Sequence, residues 1–377
     1  MQPKGYILCF GVIAVFGCAV EICYLFLLSD YAIIPFWGHR KTGVVLFWAP
    51  PTGPLPPEGM KLGGQCVITY DREQLRRADV VVFHHSSIAP KDLPWKHFRR
   101  SEQLFVWWTS DSPGKVKHDL GLSLAELRGF DNGFFNWTMT YLHDADVVRS
   151  YGYRGDLLND VTKGKSAVDD IISQKKQVAM WMTNQCNGSQ LAMMRESYVK
   201  ELQESGLKLN VYGDCLGSHN TAHPSEQEMK SHKFYLAFED AFHCREYITE
   251  KFWDNALRND MVPVVWGPIK DDVLSVAPLD SFIHTDDFDS PAKLAEYLQF
   301  LDKNDDKYRK YFRWREDETM TDEKMIFELK EKYPDIEAQQ RSANLCQKEM
   351  KNTGYKVIPS IVDEFFVRNK LECSEYT

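Results

Sequence analysis

The chain has 377 residues, enough for two domains of ordinary size with a segment to spare. Its 45 Lys and Arg against 54 Asp and Glu give a net charge of −9, which excludes a surface built to coat nucleic acid. With 44% hydrophobic and 26% charged residues it can bury a large core, so it is neither disordered nor fibrous.

Residues 1–5 form a short tail, and Tyr6 to Leu28 then carries a single charge, Glu21. As a helix this run is about 34 Å long and spans a bilayer. It is longer than the roughly 7 to 15 apolar residues of a cleaved signal, and no small-residue cleavage site follows it, which predicts an uncleaved signal-anchor over 6–28. Lys4 and the amino terminus hold the tail in the cytoplasm, while Arg40 and Lys41 pull weakly the other way. The expectation is a membrane-anchored protein with a stem over 29–42 and the body in the lumen. Cys9, Cys18 and Cys23 fall in the apolar run, leaving Cys66, Cys186, Cys215, Cys244, Cys346 and Cys373. Their wide spacing excludes a zinc ribbon, and a secretory anchor makes them disulfide candidates of open connectivity. Two glycosylation acceptor triplets, at Asn136 and Asn187, point to the same compartment.

Short branched and aromatic runs at Val44–Trp48, Cys66–Tyr70, Ala78–His84 and Leu104–Trp108 predict buried strands, with a Pro/Gly loop over Ala49–Gly59. The polar stretch Gly152 to Gln177 reads as the site of an interdomain linker, placed at 156–177. Beyond it the rhythm is regular: strand Val178–Met182, helix Gln190–Glu204, strand Lys208–Tyr212, helix Glu226–Ser231, strand Phe234–Phe238, helix Thr249–Arg258, strand Val262–Trp266. Ser281–Ile283 adds a short strand, Pro291 opens a helix, and Tyr308–Asn344 is mostly helical. Alternation of this kind implies parallel sheets covered on both faces. Two α/β domains follow, 43–155 and 178–377, with a ligand cleft between the carboxyl ends of their sheets.

The densest chemical signal is KFYLAFEDAFHCREYITEKFWDNALRNDMVPVVWG, Lys233 to Gly267. An apolar strand ends in Glu239 and Asp240, and Thr249 can cap a helix whose first turn holds Glu250 and Lys251. A helix start offers free N–H groups and a positive dipole end, and Lys251 adds a full charge, so a diphosphate fits there. Glu250 can accept from sugar hydroxyls, and Tyr247 can lie against a sugar or base. On these residues alone, a solvated amphipathic helix explains the pattern equally well.

The segments YLAFED, YITEKFW and VPVVWG resemble the donor-binding motif of the α1,3/4-fucosyltransferases, glycosyltransferase family 10. SFIHTDDFDSPAKLAEYL, YFRWR, FFNWTMTY, YGY and the Arg195 of RESYVKEL extend the similarity over most of Leu104 to Arg315. The resemblance implies a type II protein of the Golgi with two Rossmann-like domains in the GT-B arrangement behind an N-terminal transmembrane helix, and transfer of fucose from GDP-β-L-fucose with inversion. It places Arg195 and Lys251 on the diphosphate, Glu250 near ribose or fucose, Tyr247 in the pocket, Glu239 with Asp240 at the strand end, and Tyr153 of YGY near the nucleotide. The family's base is the Glu of W-x-x-x-E-S-P. Here Trp107-Trp108-Thr109-Ser110-Asp111-Ser112-Pro113 puts Asp111 in its place, one methylene shorter; a nearby His such as His84 or His85, or a weakened enzyme, is the alternative, and by itself the Ser-Asp-Ser-Pro run reads as a turn capping a helix.

Three departures stand out. Asp240 replaces the family Asn, Tyr141-Leu142-His143 replaces Tyr-Arg-Arg, and Ser86 follows the His-His pair where the family reads its acceptor. Cys186 and Cys215 resemble a pair in the invertebrate and plant branch. Asp144-Ala145-Asp146 matches a family Asp-Ser-Asp with no catalytic metal, so no metal and no cofactor are expected, and GDP-fucose is a substrate. The expected partners are GDP-fucose, an oligosaccharide acceptor on glycoprotein or glycolipid, and the membrane; a homodimer stays open. The reading is an inverting α1,3-fucosyltransferase acting on a GlcNAc hydroxyl. A membrane-anchored glycan-binding protein that has lost catalysis and a protein O-fucosyltransferase remain its competitors.

Overall fold

The computed structural model describes residues 42–51, 55–62, 66–94, 99–120, 132–183, 190–218, 223–241, 243–339 and 356–367. The Tyr6–Leu28 anchor and the glycosylation acceptor Asn187 lie outside them, as do Cys186, Cys346 and Cys373. No helix among the described residues is long and apolar enough to cross a membrane.

The apolar runs become strands because branched and aromatic side chains fit a pleated surface buried on both faces. The first sheet contains β1 (Gly43–Ala49), β2 (Lys61–Leu62), β3 (Cys66–Thr69), β4 (Val80–His84), β5 (Leu104–Trp108), β6 (Trp137–Thr140) and β7 (Val147–Val148). Its order is β2-β3-β1-β4-β5-β6-β7, parallel except for β2 against β3. Every residue of β4 and β5 is buried. Alternate residues go to opposite faces: Val81, Phe83, Phe105 and Trp107 to one core, Val80, Val82, Val106 and Trp108 to the other.

The second sheet contains β8 (Gln177–Met182), β9 (Leu209–Tyr212), β10 (His232–Phe238), β11 (Val262–Trp266) and β12 (Ile283–His284), ordered β12-β11-β10-β8-β9 and parallel throughout. In chain order its strands run 2-1-3-4-5, and the parallel strands of the first sheet start the same way. This is the flavodoxin-like order, whose ligand crevice opens where the direction of winding reverses, here between β1 and β4 and between β8 and β10.

Three parts differ from the sequence expectation. Residues 156–177 do not form an extended linker. They hold most of helix α1 (Arg154–Asp160) and all of α2 (Lys165–Ser173), because Leu157, Leu158, Val168 and Ile171 recur at helical spacing and are buried. The Thr249–Arg258 helix is instead a π-helical turn, Lys251–Ala256, followed by a 3₁₀ turn, Leu257–Asn259. The end of the chain also belongs elsewhere: Ile358, Ile361, Val362, Phe365 and Phe366 pack into the first sheet's core, and the Ile358 N–H donates to Phe135 O at 2.9 Å. The 178–377 boundary therefore fails at its end, because these side chains bury on the first sheet.

Candidate active site

The second sheet's winding reversal sets the site. The helix α3 (Gln190–Glu204) follows β8 and carries Arg195, while β10 ends at Glu239 and Asp240 beside it. Arg195 is 2% exposed, pairs through Nη1 with Asp240 Oδ1, and donates to Glu239 O at 3.2 Å and Thr183 Oγ1 at 3.4 Å. Lys251 Nζ lies 3.2 Å from both Glu239 Oε2 and Asp240 Oδ2. Glu239 is itself held by Thr249, whose N–H donates to Oε1 and hydroxyl to Oε2, each at 2.8 Å. Thr249, expected as a helix cap, therefore serves mainly to fix a carboxylate.

Gly267 makes this packing possible. Its φ of +123° lies where side chains are strained, and a Cβ there would meet Ala241 O at 2.7 Å and Glu239 Cβ at 2.9 Å. The closing glycine of VPVVWG is thus what lets the end of β11 approach Glu239.

The charges reinforce one another. Burial opposes the Lys251 ammonium, but Glu239, Asp240 and Glu250 outweigh it and raise its pKa. Burial likewise pushes Asp240 up, yet Lys251 and Arg195 hold it below the usual carboxylate range. Glu239 is raised, chiefly by burial. The result is two buried cations neutralised by two carboxylates, a seat that an incoming anion can share. Glu250 is more peripheral, its carboxylate 3.7 Å from Lys251 Nζ and its side chain 47% exposed.

Asp111 follows β5 on the first sheet. Its backbone N–H donates to Thr109 Oγ1 at 3.0 Å, and its Oδ2 stands 3.6 Å from His85 Nε2 and 3.9 Å from Lys115 Nζ. Tyr247 and Tyr151 lie between the two sheet ends. Tyr247 is 4% exposed and meets Tyr141 edge-on at 5.1 Å, and the Tyr151 hydroxyl donates to Ser110 O at 2.8 Å. Burial raises both phenols, and carboxylates from both sheets, Asp111 and Glu239, push them further up. Lys115, beside Asp111, also feels Asp240. The residues expected to act on donor and on acceptor therefore lie in one neighbourhood, joined through Tyr151 and Tyr247.

Other expected residues have different surroundings. Tyr153 lines a neighbouring cavity of about 410 Å³ with His143, Glu246 and Asp272, and its hydroxyl donates to Val148 O at 3.1 Å. His84 is pushed down to about 3, mainly by burial and then by His85 and Arg149, and its Nδ1 lies 2.8 Å from Ser86 Oγ. A ring held neutral to that pH is a poor proton acceptor near neutrality. Asp144 pairs with Arg245 at 3.0 Å, and Asp146 accepts from Thr138 N at 2.9 Å and pairs with Lys356 at 2.8 Å, so both carboxylates are spent on structure. Asn136 is fully buried, with Oδ1 accepting from Phe105 N and Nδ2 donating to Lys356 O; the folded chain leaves no space for a glycan there. Cys66, Cys215 and Cys244 are disulfide-bonded in the structure.

Sequence reasoning passed over Tyr151, Lys115 and Asp119. The last two follow Asp111 at steps of four, a helical spacing that was there to be read.

Fold and site together define an α/β protein with a cation pair at one parallel sheet's ligand-binding edge and a carboxylate at the edge of another. Residues 172–364 match the family model "Glycosyltransferase family 10 (fucosyltransferase) C-term", and residues 40–152 match "Fucosyltransferase, N-terminal". The chain is 33% identical over 339 residues to 4-galactosyl-N-acetylglucosaminide 3-alpha-L-fucosyltransferase FUT6 of Pan troglodytes, covering 84% of this chain and 88% of that one. It is 36% identical over 256 residues to 3-galactosyl-N-acetylglucosaminide 4-alpha-L-fucosyltransferase FUT3 of Homo sapiens, covering 67% and 63%. A crystal structure of α1,3-fucosyltransferase with GDP-fucose aligns at a TM-score of 0.45 and 14% identity, over 74% of this chain and 83% of that one. The chain belongs to glycosyltransferase family 10, the fucosyltransferases, and is a glycosyltransferase.

Proposed function

We propose that the chain transfers L-fucose from GDP-β-L-fucose, with inversion, to a GlcNAc hydroxyl of a glycoprotein or glycolipid glycan. The observation that carries this reading is the buried Arg195–Asp240–Lys251 cluster, with Tyr247 and Tyr151 feeling both its Glu239 and the Asp111 of the first sheet. The diphosphate takes over the anionic role of Asp240 towards Arg195 and Lys251, while Glu239 and Thr249 keep the lysine in place. Asp111 accepts the acceptor hydroxyl's proton as that oxygen attacks the fucose anomeric carbon from the face opposite GDP. The breaking bond leaves its electrons on the β-phosphate. The two cations stabilise that growing charge more than they stabilise the bound donor, which is what accelerates the step.

The same reading assigns the two sheets to a GT-B arrangement and the protein to the Golgi membrane. It anchors the chain by residues 6–28, keeps the body in the lumen, and adds a disulfide framework and a glycan on Asn187. GDP-fucose is a substrate, and no cofactor or metal takes part in transfer. The test is incubation of the full chain in detergent with GDP-fucose and a panel of N-acetyllactosamine and chitobiose-core acceptors. Transfer to a GlcNAc oxygen with inverted configuration is expected. The absence of both transfer and slow donor hydrolysis with every acceptor would sink the proposal, and glycan binding without GDP binding would favour a lectin.

A further inference from the structure

Asp111 also belongs to a second arrangement, whose other members fucosyl transfer does not use. Helix α4, in the short segment after β5, spans Pro113–Leu120 and carries Lys115 and Asp119 one and two turns beyond Asp111. His85, at the end of β4, meets them from the adjacent strand. Its Nε2 is 3.6 Å from both Asp111 Oδ2 and Asp119 Oδ2, and one ligand atom from each of the three residues lies within 4.8 Å of the other two. The imidazole is the informative member. Its side chain is fully buried, Nδ1 has no hydrogen-bond partner and Nε2 has only the two carboxylates just beyond hydrogen-bond reach; an unsatisfied buried nitrogen ordinarily costs about 1–3 kcal/mol.

We propose that His85, Asp111 and Asp119 form an inhibitory site for a divalent transition-metal ion, Zn²⁺ above all, which competes with the Lys115 ammonium. One imidazole and two carboxylates suit Zn²⁺ and leave a fourth position for water. Bonds of about 2.0–2.2 Å in a tetrahedron separate the ligand atoms by about 3.4 Å, close to the two His–Asp separations. Lys115 now supplies the positive charge, 2.6 Å from Asp119 and 3.9 Å from Asp111, and its side chain, 39% exposed, has room to swing away. His85 Nδ1 makes no outer hydrogen bond, which forgoes about 10–100-fold in affinity and suits a reversible inhibitor rather than a structural ion. Binding stands on geometry alone. Inhibition rests on the proposed function, because a metal-bound Asp111 cannot accept the acceptor's proton.

The full chain in detergent, stripped of metal by chelation, is titrated with ZnCl₂ by calorimetry and with CoCl₂ by visible absorption. One equivalent should bind with a Kd of about 1–10 µM. His85→Ala and Asp119→Asn should each weaken it at least about 10-fold, and Lys115→Met should tighten it about 3- to 10-fold. Should His85→Ala fail to fold, the other two variants decide. No binding up to about 1 mM, or one equivalent indifferent to Asp119→Asn and Lys115→Met, overturns the site. Fucosyl transfer is assayed in parallel: Zn²⁺ binding with these sensitivities but without inhibition establishes the site and removes Asp111 from its role as base.

Discussion

In each sheet the third parallel strand in chain order delivers two adjacent polar residues to the carboxyl edge: His84 and His85 from β4, Glu239 and Asp240 from β10. The surroundings of the two pairs are opposite. Glu239 and Asp240 are locked by Arg195, Lys251 and Thr249 in a cluster whose every charge has a counter-charge and in which Arg195 and Glu239 are 2% exposed and Lys251 14%, with Asp240 alone reaching 25%. His84 and His85 are neutral rings under a more open edge, where Asp111 is 26% exposed and Lys115 39%. A preorganised, water-poor seat suits a strongly charged group that must be held through a reaction. A neutral, partly wet edge suits a carboxylate that must take up a proton and then lose it to solvent. Under the proposed function the two ends thus differ as holding differs from proton transfer, although one strand order built both.

The largest expected effect separates those roles. Lys251→Ala strands Glu239 and Asp240 with one fewer cation and should weaken GDP binding by about 100-fold or more. Asp111→Asn keeps the shape and removes the proton acceptor. It should cut transfer by about 1,000-fold while GDP affinity stays within about 2-fold. Calorimetry with GDP and initial rates on the best acceptor measure both. Equal losses of binding in the two variants would abolish the distinction between the ends.

Asp240→Asn tests a finer point, whether the ligand-free seat is held closed by its own anion. The substitution restores the family's amide and removes a charge that competes with phosphate for Arg195 and Lys251. GDP affinity should rise about 10-fold, or about 1.4 kcal/mol. The ligand-free fold should lose about 1–3 kcal/mol in denaturant unfolding, because Arg195 then loses its Asp240 ion pair and Lys251 keeps Glu239 and the more exposed Glu250. A fall in GDP affinity would mean that Asp240 contacts the donor rather than standing in for it.

What was legible in the sequence divides along the same line. The seat was readable because most of it is local: Glu239, Asp240, Thr249 and Lys251 fall within one strand–loop–helix segment, and the Gln190–Glu204 helix carrying Arg195 has the expected bounds. The other edge was harder, because His85 reaches Asp111 through the pairing of β4 with β5, which no spacing along the chain reports. Asp111, Lys115 and Asp119 do follow a helical step, but a Ser-Asp-Ser-Pro turn reads first as a turn. Helices α1 and α2 were hidden because a few buried apolar residues sit among many charged ones. The return of Ile358–Phe366 to the first sheet is a contact across most of the chain. The π-helical turn at Lys251 follows directly on Thr249, whose N–H is bonded to Glu239, a contact between strand and loop that spacing along the chain does not report.

The smallest effect concerns the joint between the two ends. His143, after β6, donates its backbone N–H to Glu246 Oε2 at 2.6 Å and pairs with Glu246 through its ring. The Glu246 N–H in turn donates to Asp272 Oδ2 at 2.6 Å, in the first turn of helix α5, Lys270–Val276. Glu246 is left-handed, with φ of 59°, and directly precedes Tyr247, so this chain of contacts sets the loop that lines the cleft. Burial pushes Asp272 up to about 6, the Glu246 N–H opposes this, and the Glu246 charge adds to it. A carboxyl raised above its unfolded value of about 3.9 binds more protons in the native state. Its contribution to stability is therefore complete below about pH 4, shrinks as the pH rises through about 6, and costs up to about 2–3 kcal/mol above that. Asp272→Asn keeps an acceptor for the Glu246 N–H and removes the charge. It should stabilise the chain by about 1–2 kcal/mol at pH 7 and by nearly nothing at pH 4, measured by denaturant unfolding at both. An equal gain at the two pH values would show that packing rather than charge governs the joint. No gain at pH 7 would show that the fold already relieves Asp272 by another route.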